Sequence, residues 1–363
     1  MRFLRTTSTA RLLALVIGVT VLAAATAAIA LAATSGGGQK PPPKPLAQAV
    51  RDALTAPKVD GVTARIKFTN HLVDSSALVG GGPLLSGASG RLWASAGHLR
   101  LELQSTAGDV QLVTGGKRFL VYESQNNTAY TGTLPQRQSP PHRQSPPSLG
   151  QIAKRIADAR QHATVSGAIP TVVAGQSAYE VRVTPQHGGL VSSARLAWDA
   201  THGVPLKIAI YARGNSSPVL SLSATRISFG KVPASVFDIT PPKGARVESL
   251  TSKSQSMQPL SFTPSTPATL AGMPRRQVKH LGSDAVLVTY GQGLDGLAVI
   301  EKKSGGQARL GGVSLPTVSI DGVTGQELPT ALGTAVRFTR GGVEYTVLGS
   351  KPAGTVIAAA RAL

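Results

Sequence analysis

Val62–Thr69 reads VTARIKFT: Val62, Ala64, Ile66 and Phe68 alternate with Thr63, Arg65, Lys67 and Thr69. Successive side chains of a strand point to opposite faces, so a hydrophobic period of two describes a strand with one buried and one wet face. The same pattern returns at Leu99, Leu101 and Leu103 against Arg100, Glu102 and Gln104. It returns again at Val110–Thr114 and Phe119–Tyr122, with Gly115-Gly116 as the hairpin turn between them. Ala178–Thr184, Ala194–Trp198, Leu206–Tyr211 and Val219–Phe229 read as further strands. Strands that follow one another across short turns predict an antiparallel sheet.

Two helices are expected within this series. Ala47–Ala56 is a short one, closed by Pro57. Ser148–Ala163 places Leu149, Ile152, Ile156 and Ala159 on one face and Lys154, Arg155, Asp158 and Arg160 on the other, with Ser148 as N-cap. Just before it, Arg137–Pro147 (RQSPPHRQSPP) is a tandem duplication that reads as an exposed loop. A second series of strands is expected at Ala285–Tyr290, Leu297–Lys302, Thr317–Ile320, Ala335–Thr339 and Val343–Leu348. A final helix, Pro352–Ala362, is entered through Ser350 as N-cap.

The chain begins with Arg2, Arg5 and Arg11, followed by an uncharged run from Leu12 to Ala33. About twenty apolar residues suffice to cross a bilayer, and the arginines hold the N-terminal flank in the cytoplasm. Ala28-Ile29-Ala30 and Ala30-Leu31-Ala32 offer small-x-small cleavage sites. The segment is therefore a signal-anchor (a transmembrane helix) or a cleaved signal peptide, and the rest of the chain is extracytoplasmic in either case. With no cysteine in the chain, lipobox acylation, disulfides and thiolate metal sites are excluded. The organisation read from the sequence is a leader at 1–33, a Gly/Pro linker at 34–46, and a large domain at 47–247. A Ser/Thr/Pro linker at 248–268 and a small β-rich domain at 269–363 complete it.

The formal charge of +20 is spread along the chain instead of gathering in one helix, which fits a basic exterior facing anionic lipid headgroups or wall polymers better than nucleic acid. Gly291–Gly296 matches G-x-G-x-x-G, but Leu297–Glu301 after it reads as a strand where a dinucleotide site needs a helix, so the loop is a hairpin turn. His71, His98, His142, His162, His187, His202 and His280 include no i,i+4 pair, and no G-x-S-x-G elbow is present. The reading is therefore non-enzymatic, with no catalytic residues, no metal ligands and no cofactor. An antiparallel sheet with one apolar face and only one substantial helix either packs that face on the helix or keeps part of it for a ligand.

Ala194–Arg213 (ARLAWDATHGVPLKIAIYAR) and Thr225–Val247 (TRISFGKVPASVFDITPPKGARV) resemble the closing strands of the LolA-like superfamily. That superfamily includes the lipoprotein carrier LolA, mycobacterial lipid-carrying lipoproteins and the N-terminal domain of RseB/MucB. Gly90–Glu102 and Val110–Tyr130 fit the family's run of hairpins, and the resemblance covers roughly residues 47–247. The order of a large domain, a linker and a small β-rich domain is that of RseB/MucB. Gly333–Leu363 also resembles the end of the small domains of membrane-bound regulators.

The resemblance implies an α+β, mainly antiparallel fold: a half-open β-barrel around a helix, plus a smaller C-terminal α+β domain. It further implies binding of a lipid or an acylated protein, as carrier or sensor. Binding of the extracytoplasmic part of an anti-sigma factor, and so sigma-factor regulation, is the alternative, and a cell-wall hydrolase comes third. The expected lipid-contacting residues are Trp93, Leu99, Leu101, Leu103, Leu112, Phe119, Val121, Ile152, Ile156, Trp198, Ile208 and Ile210.

Overall fold

The structure, a computed structural model, describes residues 38–73, 87–134, 146–187, 189–250, 260–304 and 315–363. The expected leader, most of the proline-rich duplication and residues 251–259 of the expected second linker lie outside the described residues.

Helix α1 (Leu46–Thr55) precedes β1 (Val62–Asn70). A meander follows: β2 (Ala88–Ser95), β3 (His98–Ser105), β4 (Gly108–Gly115), β5 (Arg118–Glu123) and β6 (Thr128–Thr133). Its turns are short. Ala96 and Gly97 both have positive φ (47° and 80°), the two-residue geometry that matches strand twist, and they set Ser95 opposite His98. Helix α2 (Leu149–Arg160) leads into β7 (Ala163–Val165), β8 (Ile169–Val173), β9 (Gln176–Pro185), β10 (Val191–Asp199), β11 (Pro205–Ala212) and β12 (Leu220–Phe229). Strand β13 (Arg246–Leu250) then pairs in parallel with β6, and every other pairing in the sheet is antiparallel.

These strands form one thirteen-stranded sheet in the order β13-β6-β5-β4-β3-β2-β1-β12-β11-β10-β9-β7, with β8 beside β9. The sheet curls into a half-barrel whose two ends do not pair with each other. The mainly antiparallel fold class expected from the sequence is the one found.

The alternation in the sequence becomes two faces. Cross-strand partners point the same way, so Tyr130, Val121, Leu112, Leu101, Leu92 and Ala64 form one row across six strands. A second row on the same face runs Ala88, Phe68, Leu222, Ile208, Leu196 and Val181.

Both helices sit toward one end of the sheet. Leu46 and Ala49 of α1 pack with Tyr179 and Trp198, and Ile156 of α2 joins that cluster. The α2 N-terminus is a full capping box: Ser148 Oγ accepts from Gln151 N at 3.2 Å and Gln151 Oε1 accepts from Ser148 N at 2.9 Å. Gly38–Pro45, within the expected first linker, lies along the β8–β9 hairpin. There the carbonyls of Gln39 and Pro42 accept from the hydroxyls of Ser177 and Tyr179, the latter at 2.6 Å.

The turn after β10 locks α1 in place. The buried Asp199 carboxylate accepts from Thr201 N (2.9 Å), His202 N (2.6 Å) and His202 Nδ1 (2.9 Å), and the His202 ring lies against Phe229 with centroids 4.0 Å apart. Gly203 has φ +67°, and a Cβ there would collide with the Ala53 carbonyl oxygen at the end of α1.

A second, eight-stranded sheet comprises β14 (Thr269–Leu270), β15 (Met273–His280), β16 (Ala285–Tyr290), β17 (Leu297–Lys303), β18 (Thr317–Ile320), β19 (Val323–Thr330), β20 (Gly333–Arg340) and β21 (Val343–Gly349). Its order is β14-β15-β16-β17-β21-β20-β19-β18, and helix α3 (Ala353–Arg361) covers the core through Val356, Ala359 and Ala360. The G-x-G-x-x-G segment is the β16–β17 hairpin turn, as its context predicted. The N-cap of α3 is Pro352, not the expected Ser350. Ser350 instead accepts from Leu190 N through both its carbonyl and its hydroxyl, each at 3.1 Å. Ala331 N donates to Leu72 O at 2.8 Å, a second backbone tie between the two sheets.

Gly203→Ala therefore combines a strained φ with a backbone collision. We expect it to lower unfolding free energy by about 2 kcal/mol or more in chemical denaturation, whereas Gly175→Ala, with open space at its Cβ, costs roughly 1 kcal/mol from its positive φ alone.

Candidate functional site

The apolar side chains of the large sheet gather into separate clusters. Toward β6, Leu99, Leu101, Leu112, Phe119 and Val121 come together with Val110 and Tyr130 in one cluster. Leu112 is 3% exposed and Val121 is buried, while Leu99, Leu101 and Phe119 are half-buried. Leu103 packs nearby in the cluster of Val62, Ala64, Ile66 and Phe68, and is likewise buried. Trp198 and Ile156 belong to the helix-covered end, and Ile152 is buried. Ile156 and Trp198 thus belong to one cluster and Leu99, Leu101, Leu112, Phe119 and Val121 to another.

Ile208 and Ile210 lie between these regions. By register they sit beside Leu196, Ala194, Leu222 and Leu220, and all six are on one face. Leu196 is 37% exposed, and Ile208, Ile210, Leu220 and Leu222 are half-buried or better covered. Leu196 is the most exposed member of this strip; Leu220 and Leu222 pack against the β1 cluster, and Leu92, Leu99 and Leu101 farther along the face are half-buried in the same way.

Trp93 stands apart from the other candidates. It is opposite Arg100 and Thr63, which places it on the polar face, away from Leu99, Leu101 and Leu103. That face is crossed at β3 and β4 by the segment after β12. Phe237 packs on His98 with centroids 5.5 Å apart, and Arg100 Nη1 donates to Val236 O at 3.1 Å.

The small sheet holds a group that the sequence reading missed. Glu301 is fully buried among Val286, Val288, Val299 and Val347. Its Oε2 accepts from Ser265 N at 2.6 Å; among the described residues Oε1 has no hydrogen-bond partner, and the buried Tyr290 hydroxyl has none either. Burial pushes the Glu301 carboxyl up to about 7, opposed by the Ser265 bond. Tyr290 and Tyr345 are raised as well, first by burial and then by the Glu301 charge. The signal was in the alternation: Leu297, Val299 and Glu301 fall on one side of β17.

Asp199 and His202 form an Asp–His pair, but every contact described for it serves the turn. Among the described residues, no three His, Asp or Glu side chains gather to hold a metal, and no helix is long and apolar enough to cross a membrane.

No family model matches the chain, and no curated protein matches it. Solved structures do. The chain is similar to one in the complex of Pseudomonas aeruginosa MucA and MucB, at 17% identity over 87% of this chain and 94% of that one, with a TM-score of 0.42. It is similar to a chain of MucB in complex with MucA(peri), at 17% identity over 87% and 94%, with a TM-score of 0.38. An uncharacterized conserved protein from Thermus thermophilus matches 56% of this chain and 96% of its own at 12% identity, with a TM-score of 0.35.

A carboxyl raised to about 7 binds its proton more tightly in the folded state than in the unfolded one. The stabilisation that protonation gives is complete below about pH 4.5 and is lost as pH rises through about 7. Thermal unfolding should show the small sheet losing about 3 kcal/mol between these limits, and Glu301→Gln should flatten that dependence.

Proposed function

We propose that this chain is an extracytoplasmic binding protein of regulatory type. It takes up an extended, partly apolar segment of a membrane protein, of the kind an anti-sigma factor exposes outside the cytoplasm. The observation that carries this reading is the row of aliphatic side chains across β10, β11 and β12. Leu196, Ile208, Ile210, Leu220 and Leu222 share one face, with Leu196 37% exposed and the others half-buried, while Leu112, Val121 and Trp198 are buried. An extended peptide presents alternate side chains to such a strip, and a few apolar anchors in a desolvated patch supply most of the affinity of an interface. The sequence resemblance to RseB/MucB supports the same reading, as does the order of a large sheet followed by a small one. In the similar structures, MucB is in complex with MucA(peri).

Uptake of a lipid or of a lipoprotein's acyl chain is the second reading, favoured by the aliphatic character of the same strip. Burial of each CH₂ contributes about 0.8 kcal/mol, so a half-buried strip that covers only part of a chain holds it weakly. Retention of the leader would suit a sensor fixed at the membrane, and its cleavage would suit a free carrier.

Leu196→Asp together with Ile208→Asp places two charges on the strip at positions that are not core. Captured from solubilised membranes of its own organism, the wild-type chain should retain a protein that spans the membrane and binds a sigma factor on its cytoplasmic side. The double variant should lose at least tenfold of that capture, since an unpaired charge in a desolvated contact costs several kcal/mol. Lipid in native mass spectra of the purified chain, with no such protein retained, would instead support the second reading.

A further inference from the structure

The polar face of β2, β1 and β12 carries an arrangement that the fold itself does not use. Arg65 of β1 stands directly opposite Arg91 of β2 on one side and Arg226 of β12 on the other. Neighbouring strands are about 4.8 Å apart, so three guanidinium stems rise from a strip about 10 Å wide. Lys67 lies two residues beyond Arg65 on the same face, opposite Ser89 and Ser223. All four cations are exposed, and none makes an ion pair among the described residues. The one acid that the register brings alongside, Glu102 opposite Arg91, is held by Arg100 at 2.8 Å.

Like charges directly opposite each other destabilise a sheet. Elsewhere on this face the chain avoids that cost: Arg195, opposite Arg182, lies 3.7 Å from Glu180, and Lys207 lies 3.5 Å from the same carboxylate. Among the described residues, the Arg91–Arg65–Arg226 row has no such relief. Trp93 shares the face two residues from Arg91, and the hydroxyls of Thr63, Ser89, Ser223 and Ser228 surround the row. The segment that covers the polar face at β3 and β4 leaves the row bare.

Cations in a plane, bordered by hydroxyls and one indole, match the chemistry of a membrane surface. Anionic headgroups take the guanidinium groups, and tryptophan is enriched at headgroup depth. We propose that the polar face of β2, β1 and β12 is a docking site for anionic phospholipid headgroups, with Arg65, Lys67, Arg91 and Arg226 as the cations and Trp93 as the interfacial anchor. The apolar strip is on the opposite face of the sheet, so this docking leaves it free. The proposal is independent of what the strip binds.

The chain contains two tryptophans, and Trp198 is buried, so Trp93 emission reads the contact directly. The full-length chain is reconstituted in nanodiscs of phosphatidylcholine alone or of an equal mixture with phosphatidylglycerol. The difference between wild type and Trp93→Phe isolates the Trp93 signal without disturbing the core. The expected result is a blue shift and reduced acrylamide quenching of Trp93 in the anionic discs only. Both should vanish in the triple variant Arg65→Gln, Arg91→Gln, Arg226→Gln, and both should be reversed near 1 M salt, where the Debye length falls to about 3 Å. The triple variant removes only exposed charges and should keep the wild-type circular dichroism spectrum. Equal Trp93 emission in the two kinds of disc would overturn the proposal, as would a shift that survives the triple substitution. A shift of the same size with free polyphosphate would also overturn it, in favour of a soluble polyanion.

Discussion

The pairing of β1 with β12 holds the large sheet together. The chain builds two antiparallel meanders, β1–β6 and β9–β12, and each by itself is a modest ribbon. Val62–Asn70 joins them, because it pairs with Ala88–Ala94 on one edge and with Leu220–Phe229, some hundred and sixty residues away, on the other. The side-chain period is two, so a slip of one residue at this seam would turn Val62, Ala64, Ile66 and Phe68 to solvent and bring Arg65 and Lys67 into the core. The burial of that apolar quartet fixes the register. Once it is fixed, both faces of the sheet are determined across the meanders.

Both proposed binding surfaces follow from this seam. On the apolar face, Phe68 meets Leu222, and Leu222 meets Ile208, so the half-buried aliphatic strip is continuous with the packed cluster of β1. On the polar face, the same register lines up Arg91, Arg65 and Arg226. One face is suited to an extended apolar segment and the other to an anionic surface. The turn at Asp199–Gly203 serves this arrangement by clamping α1 to the helix-covered end, which keeps Trp198 packed and leaves Leu196 as the more exposed neighbour.

Period and turn chemistry made most of the strands legible in the sequence. Ala285–Tyr290 and Thr317–Ile320 lie where the alternation placed them, and the glycine-rich segment after Tyr290 is the hairpin its context required. What stayed hidden depended on partners distant in the chain. Trp93 reads as one more apolar residue of the Leu99–Leu103 group until the two-residue turn at Ala96-Gly97 is counted, which sets it opposite Arg100. The arginine row needs the β1–β12 register, which no local pattern supplies. Glu301 was legible in principle, since it continues the buried side of β17, but a single acid at the end of an apolar alternation reads as the strand's exit to solvent. The proline-rich residues from Gly38 to Pro45 read as a free spacer, because their hydrogen-bond partners, Ser177 and Tyr179, lie far along the chain.

Photo-crosslinking in living cells tests directly which part of the apolar face meets the proposed partner. A photoreactive amino acid placed at position 208, in the half-buried strip, should yield an adduct with a membrane protein, and the same amino acid at position 121, in the packed cluster, should yield none. Adducts with lipid from position 121, and none from position 208, would contradict the account.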